Sequence, residues 1–307
     1  MSQLVHLIIE NKLQFKKIYL EISNLCNIQC SFCPVVERDN QIMSLDSILA
    51  IFDKINPFTQ EVCLHLMGEP TAHPEFEKII ELAEIKGIKL NITTNGLLIK
   101  RKALSLLKSS AVRQVNFSLQ SYRDNFPDKP LESYLLPILN FTKELFELRD
   151  DVYVNYRLWN VGATETKNND FFRIIETELG IRINPAVQVE HIKSKKIWKK
   201  LYLHFDSRFE WPDLKRDELA VSGRCHGLGN HIGIHADGTV VPCCLDKEAV
   251  INLGNILESE LDEILNSSLA KEIKTGFDSN VLTHDLCRRC QYIQRFKKGK
   301  NVPLKVS

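Results

Sequence analysis

The sequence has almost no net charge, no long apolar run and no sign of a secretory leader. Its 40 basic and 39 acidic residues leave a formal charge of +1, so no overall field favours nucleic acid or a membrane as partner. No stretch of about 18 or more apolar residues is present, which excludes a conventional membrane-spanning helix. Residues Met1 to Glu10 lack the basic-then-apolar order of a signal peptide. We therefore expect a cytoplasmic protein that binds neither nucleic acid nor membrane.

Length and composition are those of a folded globular protein. The chain has 307 residues, of which 44% are hydrophobic and 26% are charged. This composition excludes a disordered or fibrous chain, and the length suffices for one large domain or two modest ones.

The nine cysteines are the most informative feature of the composition. An odd number of cysteines in a reducing compartment argues against a disulfide framework and for metal or redox chemistry. They form a group of three near the N-terminus, a group of five in the last third and one single residue: Cys26, Cys30 and Cys33; Cys225, Cys243, Cys244, Cys287 and Cys290; and Cys63. At this cysteine content a C-x3-C-x2-C spacing would arise by chance roughly one time in a hundred.

The N-terminal spacing suits an iron–sulfur cluster better than zinc. Thiolates are soft ligands that select iron–sulfur clusters or zinc, and structural zinc prefers four protein ligands. Three cysteines on one short loop leave the fourth iron of a [4Fe–4S] cluster open for an external ligand. Three buried or zinc-bound cysteines are the alternative.

Strand and helix patterns alternate through the first two thirds of the chain. Strands are predicted at Ile18 to Ser23, Glu61 to Met67, Lys89 to Thr94, Val115 to Gln120, Val152 to Trp159 and Ile181 to Val189. Helices are predicted at Ser44 to Ile55, Pro74 to Lys86, Leu98 to Lys108, Pro137 to Leu148 and Asp170 to Leu179. Six β units separated by helices predict a parallel sheet with right-handed crossovers.

Four of the six predicted strands have one polar face, which predicts an open barrel around a ligand. In Val115 to Gln120, for example, Asn116 and Ser118 alternate with apolar side chains. A filled eight-stranded barrel would place branched apolar residues inside, so we expect an incomplete barrel with a polar lumen. Cys63 and His65 share their parity with Glu69 and could face that lumen, although Cys63 also fits a small buried hydrophobe.

Four motifs resemble the radical S-adenosylmethionine (SAM) superfamily. The segment Leu25 to Pro34, LCNIQCSFCP, is similar to that family's cluster loop. The segment Met67-Gly68-Glu69-Pro70 is similar to its Gly-Gly-Glu-Pro motif, with Met67 in place of the first glycine. Thr94-Asn95-Gly96 and Ser118 also fit. The resemblance covers about Lys16 to Val189 and implies a partial (β/α)6 barrel of the TIM type.

The resemblance implies the cofactor site residue by residue. Cys26, Cys30 and Cys33 would hold a [4Fe–4S] cluster whose fourth iron binds SAM. Gly68 and Glu69 would hold the methionine amino group, Ser118 and Arg157 the ribose and carboxylate, and the backbone at Phe32 the adenine. Two alternatives stay open. Ser118 could be a solvated polar residue with no role in binding, and Arg157 could form an ion pair with a nearby acidic residue instead of binding SAM.

The last third resembles the auxiliary-cluster domain called Twitch, a shortened relative of SPASM. Cys225 and Cys243 fit a C-x12-G-x4-C pattern around a hairpin with Asp237-Gly238 at its turn, and Cys287-x2-Cys290 follows. Because no cysteine follows Cys290, the resemblance implies one auxiliary [4Fe–4S] cluster.

The ligands of that cluster would be Cys225, Cys243, Cys287 and Cys290. Cys244 competes with Cys243 for its place, and zinc is the alternative metal. We expect a barrel domain at 1–200 and a small α+β auxiliary domain at 201–307.

These features imply a radical SAM enzyme. Reduced flavodoxin or ferredoxin would supply one electron, and SAM would be cleaved to a 5′-deoxyadenosyl radical that removes a hydrogen atom from the substrate. Four cysteines leave no open auxiliary iron for substrate, which favours electron transfer and a net oxidation, as in a dehydrogenase acting on a small molecule. The alternatives are maturation of a ribosomally made peptide and a non-catalytic iron–sulfur or zinc protein.

Overall fold

The computed structural model describes residues 14–161, 168–184 and 193–296. Its strands are β1 (Lys17–Leu20), β2 (Glu61–Cys63), β3 (Lys89–Thr94), β4 (Val112–Ser118), β5 (Tyr153–Val161), β6 (Ser194–Trp198), β7 (Leu201–Ser207), β8 (His231–Ile234) and β9 (Val240–Val241). Its helices are α1 (Leu45–Ile55), α2 (Phe76–Ile85), α3 (Ile99–Lys108), α4 (Gln120–Asn125), α5 (Glu132–Leu148), α6 (Asn169–Leu179), α7 (Leu261–Leu265), α8 (Ser268–Asp278) and α9 (Asp285–Arg288). In these residues no helix combines the length and the apolar character needed to cross a membrane.

The strands form one sheet in the order β6-β7-β5-β4-β3-β2-β1-β8-β9. Strands β1 to β5, β7 and β8 pair in parallel, whereas β6 and β9 pair antiparallel at the two edges. Helices connect successive parallel strands, because such strands need long crossovers. The expected mixed α/β fold with a partial barrel is confirmed.

One face of the sheet packs under the helices and the other lines the lumen. On β5, Val154, Tyr156 and Leu158 are fully buried, while Asn155 and Arg157 on the other face are half-buried. Helix α1 covers the apolar face with four side chains at helical spacing: Ile48, Ile51, Phe52 and Ile55. Each such burial contributes about 1.5–3 kcal/mol.

The prediction of the sixth strand was wrong. Residues 181–184 have no regular structure, and the rest of the predicted strand lies outside the described residues. Strand β7 takes the sixth place instead, since it alternates buried Leu201, Leu203 and Phe205 with half-buried side chains and pairs in parallel with β5. A domain boundary at residue 200 would separate β7 from its barrel, so we propose the boundary after Ser207.

The predicted hairpin is present, and it extends the barrel. Strands β8 and β9 pair antiparallel, and Gly238 at the turn has φ +87°, a value that favours glycine. Strand β8 pairs with β1 from Lys17 opposite His231 to Leu20 opposite Ile234. The C-terminal third therefore supplies a wall of the lumen, which the sequence pattern did not predict.

Candidate functional site

The three N-terminal cysteines lie on the loop after β1. Cys30 is buried, while Cys26 and Cys33 are exposed, and the Cys33 amide donates to the carbonyl of Cys30 over 3.1 Å. The side chain of Asn125, on α4, donates to Cys30 Sγ over 3.3 Å, and that of Asn95 lies 4.0 Å from Cys26 Sγ. Amide donors aimed at sulfur suit thiolates that hold a cluster.

The loop is fixed from outside by α4. Asp124 accepts from the hydroxyl of Ser31 over 2.6 Å and from its amide, and Asn125 accepts from the amide of Gln29 over 3.0 Å. Arg208 lies 3.4 Å from Asp124 and 5.4 Å from the ring centre of Phe32. Asp124 and Asn125 were missed in the sequence because α4 lies more than ninety residues beyond the loop.

Gly68 and Glu69 stand directly against the cluster loop. Gly68 has φ +75°, and an added Cβ would lie 2.2 Å from the carbonyl oxygen of Ser23, so this position requires glycine. The Glu69 amide donates to the carbonyl of Leu25 over 2.8 Å. Met67, which stands in place of the first glycine of the family motif, directly precedes Gly68 in the chain.

The Glu69 carboxylate is buried and held by its own chain. It accepts from the amide and hydroxyl of Thr71 over 3.0 and 2.6 Å and from the amide of Asn95 over 2.7 Å. Burial raises the pKa of Glu69, although these hydrogen bonds oppose the shift. A bound ammonium would favour the charged form, so the site fits a cationic ligand group.

Ser118 and Arg157 face each other on β4 and β5. The two residues are register partners, and both are half-buried on the lumen face. The Arg157 guanidinium lies 4.9 Å from the ring centre of Trp159, and no described residue forms an ion pair or hydrogen bond with it. Burial lowers the pKa of Arg157. The local acid considered as its partner is therefore not present among the described residues.

Four C-terminal cysteines converge on one place. Cys225, Cys243, Cys287 and Cys290 interact electrostatically in all of their pairs. Burial, followed by the neighbouring thiols, raises the pKa of each of the last three. In the described part of the chain, no group of three or more potential ligands is arranged to hold a single metal ion. By residue type, four cysteines are a ligand set of [4Fe–4S] clusters and also of zinc.

Cys244 points the other way. Its thiol interacts with Lys17, Cys63 and Tyr19, and burial raises its pKa to about 12. The structure thus places Cys243 with the other three cysteines and Cys244 at the lumen wall.

The lumen floor contains residues that the sequence analysis did not assign. The ring of Tyr19 makes edge contacts with His65 at 5.4 Å and His231 at 5.6 Å, and Lys17 lies 5.1 Å from the same ring centre. Cys63 is buried beside them, since it is the register partner of Tyr19. The alternation of polar and apolar residues along β1 was the sequence signal that could have placed Tyr19 on the lumen face.

Glu21 is a fully buried carboxylate that joins the two halves of the site. Arg38 donates to both of its oxygens over 3.0 Å, and the amides of Met67 and Ala236 each donate over 3.2 Å. His235 Nδ1 lies 3.4 Å away. Burial acts to raise the pKa of Glu21, but His235 and Arg38 lower it overall.

Comparison with protein-family models identifies two domains. The model for the radical SAM superfamily matches residues 20–153, and that for an iron–sulfur cluster-binding domain, SPASM, matches residues 225–291. The chain contains a radical SAM domain and, after it, a SPASM domain. Its cofactors are therefore SAM, the [4Fe–4S] cluster of the barrel and an auxiliary cluster of the SPASM-type domain.

Sequence relatives each match about a third of the chain. A tungsten-containing aldehyde ferredoxin oxidoreductase cofactor-modifying protein of Pyrococcus furiosus is 33% identical over 34% of this chain and 30% of its own length. A probable GTP 3′,8-cyclase of Methanococcus maripaludis is 30% identical over 35% of this chain and 37% of its own. The matches thus span well under half of these curated relatives.

Solved structures resemble the whole described fold. BtrN in complex with AdoMet and 2-DOIA has a TM-score of 0.53 at 15% identity and covers 91% of this chain and 94% of its own. Streptococcus suis SuiB bound to precursor peptide SuiA has a TM-score of 0.60 at 16% identity and covers 95% of this chain and 75% of its own. At these identities the likeness concerns the fold alone.

Replacing Glu21 should destabilise the holoprotein. Glu21→Gln removes the buried charge opposite Arg38, and breaking such a pair costs about 3 kcal/mol in the free energy of unfolding. Urea unfolding under anaerobic conditions measures this loss. Glu37→Gln is the matched control because Glu37 pairs with Lys215 at the exposed surface, where about 0.5 kcal/mol or less is expected. Equal stability of the two variants would contradict the role of Glu21.

Proposed function

We propose that this protein, which contains a radical SAM domain, cleaves SAM reductively and carries out a net, dehydrogenase-type oxidation of a small molecule. The observation that carries the proposal is the set of four thiols in the C-terminal domain that interact electrostatically with one another. Four protein ligands would fill the ligand sites of an auxiliary [4Fe–4S] cluster. A filled cluster suits electron acceptance rather than direct binding of substrate.

The carboxyl ends of the barrel strands would hold SAM and the cluster that binds it. Cys26, Cys30 and Cys33 are the proposed ligands of the cluster. When bound, these cofactors supply a 5′-deoxyadenosyl radical that removes a hydrogen atom from a C–H bond. Reduced flavodoxin or ferredoxin is the proposed electron donor.

The neighbouring side chains would orient SAM. Glu69, with Gly68 providing close approach, would accept hydrogen bonds from the methionine ammonium. Arg157 has free N–H groups on the lumen side and would grip the carboxylate with two parallel bonds. Ser118, its register partner, would bond the ribose, and the backbone at Phe32 would contact the adenine.

The positions of Cys243 and Cys244 suggest a path for the electron that the substrate radical would give up. Cys243 belongs to the auxiliary set, whereas the next residue, Cys244, contacts Tyr19 at the lumen wall. An electron left on a substrate in the lumen would therefore have a short route to the auxiliary site.

Peptide maturation is the second candidate function. It is favoured by the fold similarity to SuiB in its complex with the precursor peptide SuiA. Such a reaction could be redox-neutral, and the last experiment of this subsection separates it from oxidation.

Reconstituted protein should contain about eight irons and eight sulfides per chain, from two [4Fe–4S] clusters. Replacing Cys26, Cys30 and Cys33 together by alanine should keep about half of the iron and abolish 5′-deoxyadenosine formation. Iron and sulfide analysis and chromatography measure both quantities. Loss of all iron from the triple variant would contradict two independent clusters.

Glu69→Gln should weaken SAM binding more than cluster assembly. It removes one charge from a charge-assisted bond that contributes about 1.5–3 kcal/mol, or roughly ten- to a hundredfold in affinity. Calorimetry with oxidised holoprotein measures the affinity, and iron analysis checks the cluster. Glu75→Gln is the control, since Glu75 pairs with Lys78 near the surface. Unchanged affinity in Glu69→Gln would remove Glu69 from the site.

Cys290→Ala should separate SAM cleavage from product formation. The barrel cluster keeps all of its ligands, so 5′-deoxyadenosine should still form with a strong reductant, while oxidised product should be lost. Cys244→Ala is the matched control for auxiliary iron, because its thiol lies outside the four-cysteine set. Circular dichroism checks folding, since the auxiliary site also closes a long loop.

Full product formation by a folded Cys290→Ala protein without auxiliary iron would contradict the electron-acceptor role. That result would favour a redox-neutral reaction such as epimerisation.

A further inference from the structure

The lumen contains two cations for which the described residues provide no carboxylate partner. Lys17 rises from the start of β1, and Arg157 projects from β5. Both interact electrostatically with the same side chains, namely His65, Cys63 and Cys244. Both residues lie on the lumen face of the sheet, because Lys17 alternates with buried Ile18 and Arg157 alternates with buried Tyr156 and Leu158.

The carboxylates around this space are already paired. Glu21 binds Arg38 at 3.0 Å, and Glu61 binds Arg113 at 3.1 Å. Asp206, beside His204, binds Arg295 at 2.7 Å and Lys193 at 3.3 Å. None of the three lies within 4 Å of Lys17 or Arg157 in the described structure.

The titratable side chains nearest to Lys17 are neutral near pH 7. Burial raises the pKa of Tyr19 and brings that of Cys63 to about 11. Burial, reinforced by Lys17, lowers the pKa of His65 and brings that of His231 to about 4. Lys17 and Arg157 are both half-buried, and an unpaired positive charge becomes more costly as its exposure to water falls.

Some hydrogen-bonding groups in this part of the lumen also have no partner among the described residues. A guanidinium carries five N–H donors, and a carboxylate held by two parallel bonds uses two of them. Even with the SAM carboxylate in its proposed position, Arg157 would keep three donors. Nδ1 of His65 is buried without a hydrogen-bond partner. These groups point to a ligand in addition to SAM.

We propose that the substrate carries an oxyanion, a carboxylate or a phosphate, which binds in the lumen between Lys17 and Arg157. The inference deepens the proposed function and rests on it for the identity of the ligand as substrate. The acidic group would lie on the floor of the barrel beside Tyr19. The rest of the molecule would then extend towards SAM at the strand ends.

The experiment uses reconstituted holoprotein and two probes, inorganic phosphate and acetate. With the clusters reduced and SAM absent, an anion held beside Cys244 lies close to the paramagnetic auxiliary site, so its phosphorus or methyl resonance should broaden. The two probes distinguish a phosphate-bearing from a carboxylate-bearing substrate. Titration gives the affinity of each.

Lys17→Met should weaken binding of the preferred anion by at least about tenfold, since it removes a charge-assisted hydrogen bond. Lys17→Arg should largely restore it. Lys16→Met is the matched control, because Lys16 is the exposed neighbour just before β1. Equal broadening in Lys17→Met and wild type would place the anion elsewhere and overturn the proposal.

Two further outcomes would also overturn it. One is the absence of broadening with both anions in wild-type protein that cleaves SAM. The other is complete displacement of the anion by S-adenosylhomocysteine, which would mean that the probe occupies the place of the SAM carboxylate. Conversely, Lys17-dependent binding in a protein that never cleaves SAM would contradict the proposed function and leave the anion site intact.

Discussion

The buried carboxylate of Glu21 is the contact on which the arrangement of both sites depends. It is bonded to Arg38 beyond the cluster loop, to the amide of Met67 just before Gly68-Glu69, and to the amide of Ala236 in the auxiliary hairpin. A buried charge tolerates few geometries, because each unmet hydrogen bond is costly in a low dielectric. Glu21 therefore fixes three segments, distant in sequence, relative to the end of β1.

The hairpin held by Glu21 explains how two adjacent cysteines serve different places. After β9 and Pro242, Cys243 and Cys244 lie in a bend and a turn where the chain leaves the sheet. Cys243 joins the auxiliary set, while Cys244 reaches Tyr19. Because β8 pairs with β1, the auxiliary domain forms part of the lumen wall. The proposed electron acceptor thus lies beside the substrate space.

Local sequence patterns predicted most strands of the barrel, but they could not predict contacts between residues that are far apart in sequence. Strand β3 was predicted with its observed bounds, since alternation and helix punctuation are local signals. The sixth strand was predicted at the wrong place because the lysine-rich stretch before Leu201 was interpreted as a solvated, charged segment. Strand β7, which follows it, does alternate buried and half-buried side chains. For the site, spacing gave the seven proposed cysteine ligands, whose roles stay predictions. Glu21 could not be found, since Ala236 lies 215 residues away from it in sequence.

The distribution of charge along the lumen gives the two ligands different places. The negative group, Glu69, lies beside the cluster loop, where an ammonium is the proposed partner. Lys17 lies at the opposite end of the strands, and Arg157 stands between the two with donors to spare. In the partly buried lumen these charges act more strongly on an entering ligand than they would in water. We propose that a zwitterionic amino-acid group would be stabilised between Glu69 and Arg157, whereas an acidic group would bind between Arg157 and Lys17. In the function proposed here, this polarity would hold SAM at the cluster and orient the substrate beneath it.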